Sequence, residues 1–197
     1  TVPYDDIVRE RLARAAGNLG EPLALGGTYG CTQGPRLETA AEIRRSNLDG
    51  TNVESVAAVA TAGYAITLDP FADRLYWIDN SGAGAVRVAA LDGSGAADLV
   101  SGVTAGIGLA LDRSAGKLYW TENHGSPTSR LMRCDLDGTD VEVVFATATG
   151  IDGIATDPAA ARLLYSALAA GEIRAVGDDG TGDTAIVATG AYPRELS

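Results

Sequence analysis

The chain has 197 residues, 46% of them hydrophobic, and carries a formal net charge of −11 at neutral pH. Its length suits one sizeable domain or two small ones, and its apolar fraction is ordinary for a globular chain. The acidity argues against nucleic-acid binding as a main role, and no apolar run approaches the ~18 residues of a membrane span.

The charge is unevenly placed. Residues 1–45 hold six Arg against six Asp and Glu, whereas residues 46–197 hold nine Arg and Lys against twenty acids. Such a shift suggests two segments of different origin; turns rich in Asp-Gly pairs also concentrate acid downstream. No signal peptide is visible at Thr1, and no compartment follows from that.

Residues 5–17, DDIVRERLARAAG, read as a helix. Asp5 and Asp6 suit its positive N-terminal end, Ile7, Val8, Leu12, Ala15 and Ala16 recur at helical spacing, and Gly17 or Gly20 would stop it. A loop follows, then GGTYGCTQGPRLETAAEIRR over 26–45: a short strand at TYGCT, a turn at QGP and a helix candidate at ETAAEIRR. This segment resembles a signature of the purine nucleoside phosphorylase and methylthioadenosine phosphorylase family. The resemblance implies that Leu37 and Glu38 fall in the purine pocket, where the family packs an aromatic on the base and, in some members, a Glu hydrogen-bonds it. Leu37 departs from the aromatic form. The remainder of such an enzyme is not legible: there is no Gly- and Ser-rich phosphate loop near the N-terminus, and SNLDGTNVESV stands where sugar and base contacts would continue. Phosphorolysis needs phosphate, sugar and base held together, so phosphate enters only as co-substrate of this alternative.

Residues 38–46 read as helix under that resemblance and, over 42–48, as strand under the pattern of the residues downstream. LDG at 48–50 needs a strand leading into it, so a strand is expected from about residue 43. The shared Ile43-Arg44-Arg45 looks like the seam of a fusion, with segments 1–42 and 43–197 on either side.

Beyond the seam the chain repeats. ITLDPFADRLYWID at 66–79 returns as LALDRSAGKLYWTE at 109–122 and, weakened, as IATDPAAARLLYSA at 154–167. Asp69, Asp112 and Asp157 mark one edge, and Tyr76, Tyr119 and Tyr165 the other. LDG at 48–50, 91–93 and 136–138 and DDG at 178–180 run in step. Two landmarks sharing a period in the forties indicate a repeat array of the propeller-blade kind. Within one unit, ITLD alternates apolar and polar as a half-buried strand does. PFAD is a turn, RLYWID is a strand of aromatic and branched residues, VRVAAL is a third strand, and Asp-Gly closes a hairpin onto ADLV. Four strands in about 43 residues make one blade.

These units resemble the YWTD repeat of the low-density-lipoprotein-receptor class. The carrying residues are Leu68-Asp69, Tyr76-Trp77-Ile78-Asp79 and Leu91-Asp92-Gly93, then Leu111-Asp112, Tyr119-Trp120-Thr121-Glu122 and Leu136-Asp137-Gly138. The third unit keeps Tyr165 and loses the tryptophan and the acid. The resemblance implies a propeller closed at six blades in the family. This chain supplies about three and a half, at 65–101, 107–145 and 152–188 after a partial blade, and it reaches its last residue in mid-repeat. The expected fold is mainly β: an open, partial propeller preceded by a short α/β segment.

No enzyme site rises above the repeat. Trp77 and Trp120 suit packing between blades more than a ligand surface. Asp79 and Glu122 occupy equivalent places in successive units, where each is expected to hold nearby backbone amides rather than act as a catalytic pair. DLDGTD at 135–140 resembles a calcium loop but lacks the Glu at position twelve, so it reads as a hairpin turn and no metal is expected. His124 stands in a loop, NHGSPTS, with no companion ligand. Cys31 and Cys134 read as separate thiols rather than a disulfide. The expected function is therefore binding, through loops such as 122–129, of a protein or glycan ligand, without cofactor. The alternatives are a purine nucleoside phosphorylase of which a fragment is present, and a fusion product without evolved function. Self-association through open blade edges is expected as well.

Overall fold

The computed structural model describes residues 41–46, 51–59, 65–124, 128–190 and 193. The expected helix at 5–17, the strand at TYGCT, and Cys31, Leu37 and Glu38 lie outside the described residues. Within them the alternating runs between Gly- and Asp-rich turns form strands. β1 (Ala41–Arg45) and β2 (Glu54–Val59) make a two-stranded antiparallel sheet. β1 resolves the double reading of this stretch: AEIRR is extended, pairs Ile43 with Ala57, and starts two residues before the expected strand.

Three four-stranded meanders follow. Blade 1 is β3 (Ile66–Asp69), β4 (Arg74–Asp79), β5 (Ala85–Ala89) and β6 (Ala97–Ser101). Blade 2 is β7 (Gly106–Asp112), β8 (Lys117–Glu122), β9 (Ser129–Asp135) and β10 (Glu142–Thr147). Blade 3 is β11 (Ile151–Asp157), β12 (Arg162–Ala167), β13 (Glu172–Gly177) and β14 (Thr184–Ala188). A 3-10 turn at Pro158–Ala160 is the one helical element among the described residues. The chain is thus mainly β, with antiparallel sheets in a propeller-like row of one partial and three complete blades. First strands stack on one another, β3 against β7 and β7 against β11.

Both faces of a strand inside such a row are buried, which explains why β4 and β8 carry apolar residues without strict alternation. Among the described residues the core is three clusters, one at each junction. Ile43 and Val59 meet Leu75, Trp77 and Ala89 between the partial blade and blade 1. Tyr76, Ile78 and Val86 meet Leu118, Trp120 and Cys134 between blades 1 and 2. Tyr119 and Leu131 meet Leu163, Tyr165 and Val176 between blades 2 and 3. Each tryptophan therefore faces the blade before its own, and each adjacent tyrosine faces the blade after.

That rule corrects the alignment of the third unit. Trp77 pairs with Ile66 and Trp120 with Leu109, three positions before Asp69 and Asp112 on the first strand. The residue in that place in blade 3 is Tyr165, paired with Ile154, and it too faces the preceding blade. Tyr165 therefore replaces tryptophan, not tyrosine, and Leu164 takes the place of Tyr76 and Tyr119. Blade 3 has kept its aromatic wedge and carries a leucine where the other two blades place a tyrosine toward the next blade.

The hairpins between third and fourth strands repeat closely. Gly93, Gly138 and Gly180 all have φ between +81° and +86°, a region open to glycine. Each also lies against the outer strand of the preceding blade. A Cβ built there would overlap the carbonyl oxygen of Val56, Leu99 and Val144 respectively. The Asp before each glycine closes the turn: Asp92 accepts from the Ser94 amide at 2.8 Å, Asp137 from Thr139 at 2.9 Å and Asp179 from Thr181 at 2.9 Å. DLDGTD is one of these hairpins.

Candidate functional site

In a meander the turns β3–β4 and β5–β6 lie at one end of the blade, and the connections β4–β5 and β6–β7 at the other. The first end is built from repeating parts. Asp69 accepts from the Phe71 and Ala72 amides at 3.1 and 3.2 Å, and Asp112 from the Ala115 amide at 3.0 Å and the Ser114 hydroxyl at 2.6 Å. Asp157 instead takes Arg162 Nε at 2.9 Å. Arg113 Nε reaches back to Asp69 at 3.1 Å and lies over the Phe71 ring, tying blade 2 to blade 1.

At the opposite end backbone bonds recur, as in the Gly102 and Thr189 amides donating to the Gly84 and Gly171 carbonyls, but the side-chain arrangements differ from blade to blade. In blade 1, Asp79 accepts from the Ser81 amide at 2.9 Å, and Asn80 exchanges hydrogen bonds with the Gly106 backbone at 2.8 and 3.1 Å. In blade 2 the equivalent acid, Glu122, departs from the expected amide-holding role. Its hydrogen bonds come from side chains: Trp120 Nε1 donates to Oε1 at 3.3 Å and Arg130 Nη2 to Oε2 at 2.7 Å. One extra methylene carries the carboxylate past its own turn. In blade 3 the place is taken by Ala167, opposite Glu172.

His124 completes the cluster. Its Nε2 lies 3.2 Å from Arg130 Nη2, 3.4 Å from Glu122 Oε2 and 3.3 Å from Thr104 Oγ1. Arg130 only donates, so Nε2 accepts from it. A proton relay needs one ring nitrogen for the nucleophile and the other for the orienting acid. Here a single nitrogen faces every partner, so the geometry is that of an anchored ionic cluster. Glu122 is buried while Arg130 is partly exposed, and Arg130 Nε finds no hydrogen-bond partner among the described residues. An open depression beside it is lined by His124, Thr128, Arg130 and Ala146–Ala148. Guanidinium, imidazole and hydroxyl groups share its wall with the methyls of Ala146 and Ala148.

The named residues are thus divided. Trp77 and Trp120 are almost fully buried at the two successive junctions. Asp69, Asp112 and Asp157 lie at the repeating end, and Asp79 and Glu122 at the other, in different blades. Sequence reasoning passed over Thr104 and Arg130 and took Thr121 only as part of the repeat pattern. Thr121 Oγ1 accepts from the Gly108 amide at 2.8 Å and donates to the Asp152 carbonyl at 2.7 Å, bridging blades 2 and 3. Ser166 repeats the first of these bonds, to Gly153. Arg130 occupies the place of Ala85 in blade 1 and Glu172 in blade 3, and that break in the repeat was its only signal. Cys134 is walled in between blades 1 and 2, and burial pushes its thiol up to about 12, which keeps it protonated and unreactive.

No family model matches the chain. Part of it is similar in sequence to nucleoside phosphorylases. It is 40% identical over 84 residues to a 6-oxopurine nucleoside phosphorylase of Pyrococcus furiosus, covering 43% of this chain and 32% of that protein. It is 43% identical over 63 residues to the probable S-methyl-5'-thioinosine phosphorylase of Xanthomonas campestris pv. campestris, covering 32% and 25%. Its fold is similar to solved propeller-type structures. The chain aligns with a nidogen/laminin complex structure at a TM-score of 0.70 and 20% identity, over 79% of this chain and 59% of that one. TolB of Acinetobacter baumannii aligns at 0.64 and 12% identity, over 98% and 50%. The chain spans a third or less of these sequence relatives and between 50% and 59% of these solved chains.

Proposed function

We propose that residues 43–197 form a YWTD-type binding module that presents the non-repeating end of its blades to a protein or glycan ligand, without cofactor. The observation that supports this is the contrast between the two ends. Turns that recur in every blade serve the architecture, whereas the cluster of Glu122, His124, Arg130 and Thr104 occurs once and borders a depression. A chain of similar fold occurs in a nidogen/laminin complex structure, which favours a protein as the ligand.

Immobilised laminin and a glycan array are suitable probes. The expected result is retention of the wild-type chain on one of them, weakened at least about tenfold by Arg130→Ala, a loss of about 1.4 kcal/mol, and unaffected by Asp137→Ala at the other end. Binding insensitive to Arg130→Ala would refute the placement.

The sequence similarity favours a second reading, a phosphorylase-like segment over 1–42 acting on purine nucleosides with phosphate as co-substrate, Leu37 and Glu38 lying against the base. Release of hypoxanthine from inosine that depends on phosphate would establish it. The absence of any such release is expected, because the similarity covers only a fraction of the enzymes.

A further inference from the structure

Among the described residues the outer strand of each blade has one edge without a strand partner, and natural sheets block such edges with charge. β2, β6 and β10 follow that rule, each with a carboxylate held by an arginine of the neighbouring strand: Glu54 by Arg45, Asp98 by Arg87 at 2.9 Å and Glu142 by Arg133 at 2.7 Å. β14 departs from it. The arginine of its neighbour, Arg174, binds Asp183 at 2.9 Å, one residue before the strand begins. Thr184–Ala188 is left uncharged, and the chain carries no charge from Thr184 through Pro193. All five strand residues are exposed, with Ile186 at 51% and Val187 at 47%.

We propose that β14 is a self-pairing edge, through which two copies of this chain join by antiparallel strand addition across a two-fold axis. Pairing centred on Ile186 sets Thr184 opposite Ala188, Ala185 opposite Val187 and Ile186 opposite its copy. Such an isologous contact is self-complementary, and no like charges meet in it. A chain of net charge −11 would attract a basic partner through its acidic surfaces; this strip offers a basic strand nothing, and a copy supplies a matching neutral one. Repulsion between the two acidic bodies is screened beyond about 8 Å at physiological salt. Five residues span only about 17 Å, so the contact is smaller than a permanent dimer needs, and the association is reversible and concentration-dependent.

Sedimentation velocity from low micromolar to near-millimolar chain tests this. The wild type should pass from the mass of one chain to that of two. Ile186→Lys should lower the association constant at least about tenfold, while Val143→Lys, equally exposed on charged β10, should leave it unchanged. Hydrogen exchange on the wild type gives a readout independent of any variant's folding: amides 184–188 should gain protection as concentration rises. A single-chain mass at every concentration, including one where these amides are protected only by an unrelated strand partner, would overturn the proposal. So would a dimer indifferent to Ile186→Lys, or protection that appears elsewhere.

Discussion

Trp77 and Trp120 are each 1% exposed, and each fills the space between two sheets. Truncating either to alanine is expected to cost about 3–5 kcal/mol, as large-to-small changes in close-packed interiors do; urea unfolding measures it. A cost under about 1 kcal/mol accompanied by weaker ligand binding would instead mark a working surface. The hairpin glycines make a sharper test, because two positions with the same backbone demand differ in surroundings. Gly95 has φ +66° and open space where a methyl would stand, whereas Gly138 has φ +86° and the Leu99 carbonyl in the way. Gly95→Ala should cost only about 1 kcal/mol, the strain of a left-handed alanine. Gly138→Ala should cost more than about 3 kcal/mol, since the strain is joined by a clash that only a backbone shift relieves. The turn aspartates report on pH. Side-chain and backbone hydrogen bonds from Ser94 or Thr139 hold the carboxyls of Asp92 and Asp137 below their ordinary 3.8, and those from Thr181 do the same for Asp179. A depressed folded-state value means stability that is fully present above the ordinary value and lost as the pH falls through and below it. Melting temperature should therefore drop as pH is lowered past 3.8, and replacing all three by asparagine should flatten that drop.

The strands were legible because sheet physics writes itself into sequence with a period of two, bounded by Asp-Gly and Pro. What the repeat could not convey was register. The spacing from Tyr119 to Tyr165 is one residue longer than that from Asp112 to Asp157, and that extra residue is the shift that moves Tyr165 into the tryptophan's place. A one-residue slip turns a side chain to the other face of a sheet, so the two alignments predict opposite energetics. Tyr165→Ala should cost about as much as the tryptophan truncations, roughly 3 kcal/mol or more, and Leu164→Ala about 1 kcal/mol; comparable costs at both positions would refute the register. The cluster at His124 was half legible. Its histidine stood out as the only one in the chain, but Arg130 and Thr104 reach it from separate strands and loops, and no local pattern brings them together. The DLDGTD element carries its own test. Asp137 already accepts from the Thr139 amide and hydroxyl at 2.9 and 2.6 Å, so EDTA should leave the melting temperature where it is; a calcium-dependent rise would show a bound ion, since a ligand of the folded state stabilises it.

For the molecule as a whole, the division into segments 1–42 and 43–197 remains our proposal, motivated by the change in charge balance; the 84- and 63-residue stretches similar to phosphorylases are longer than the first segment and run past that boundary. The row of blades has a direction. Gly93, Gly138 and Gly180 each lean on the outer strand of the preceding blade, and Arg113 and Arg133 also reach across junctions, to Asp69 of blade 1 and to the Asp178 carbonyl of blade 3. Each of these hairpins, emerging from the ribosome, would therefore find its docking strand already made, while ties such as Asn80 to Gly106 close only when the next blade arrives. Vectorial assembly of this kind predicts an asymmetry. Chains stalled after residue 147 should already resist proteolysis across blade 1, whereas a chain beginning at residue 65 should leave the Gly93 hairpin without its support and be cut there first. Equal protection of the two would mean that the blades fold without regard to order.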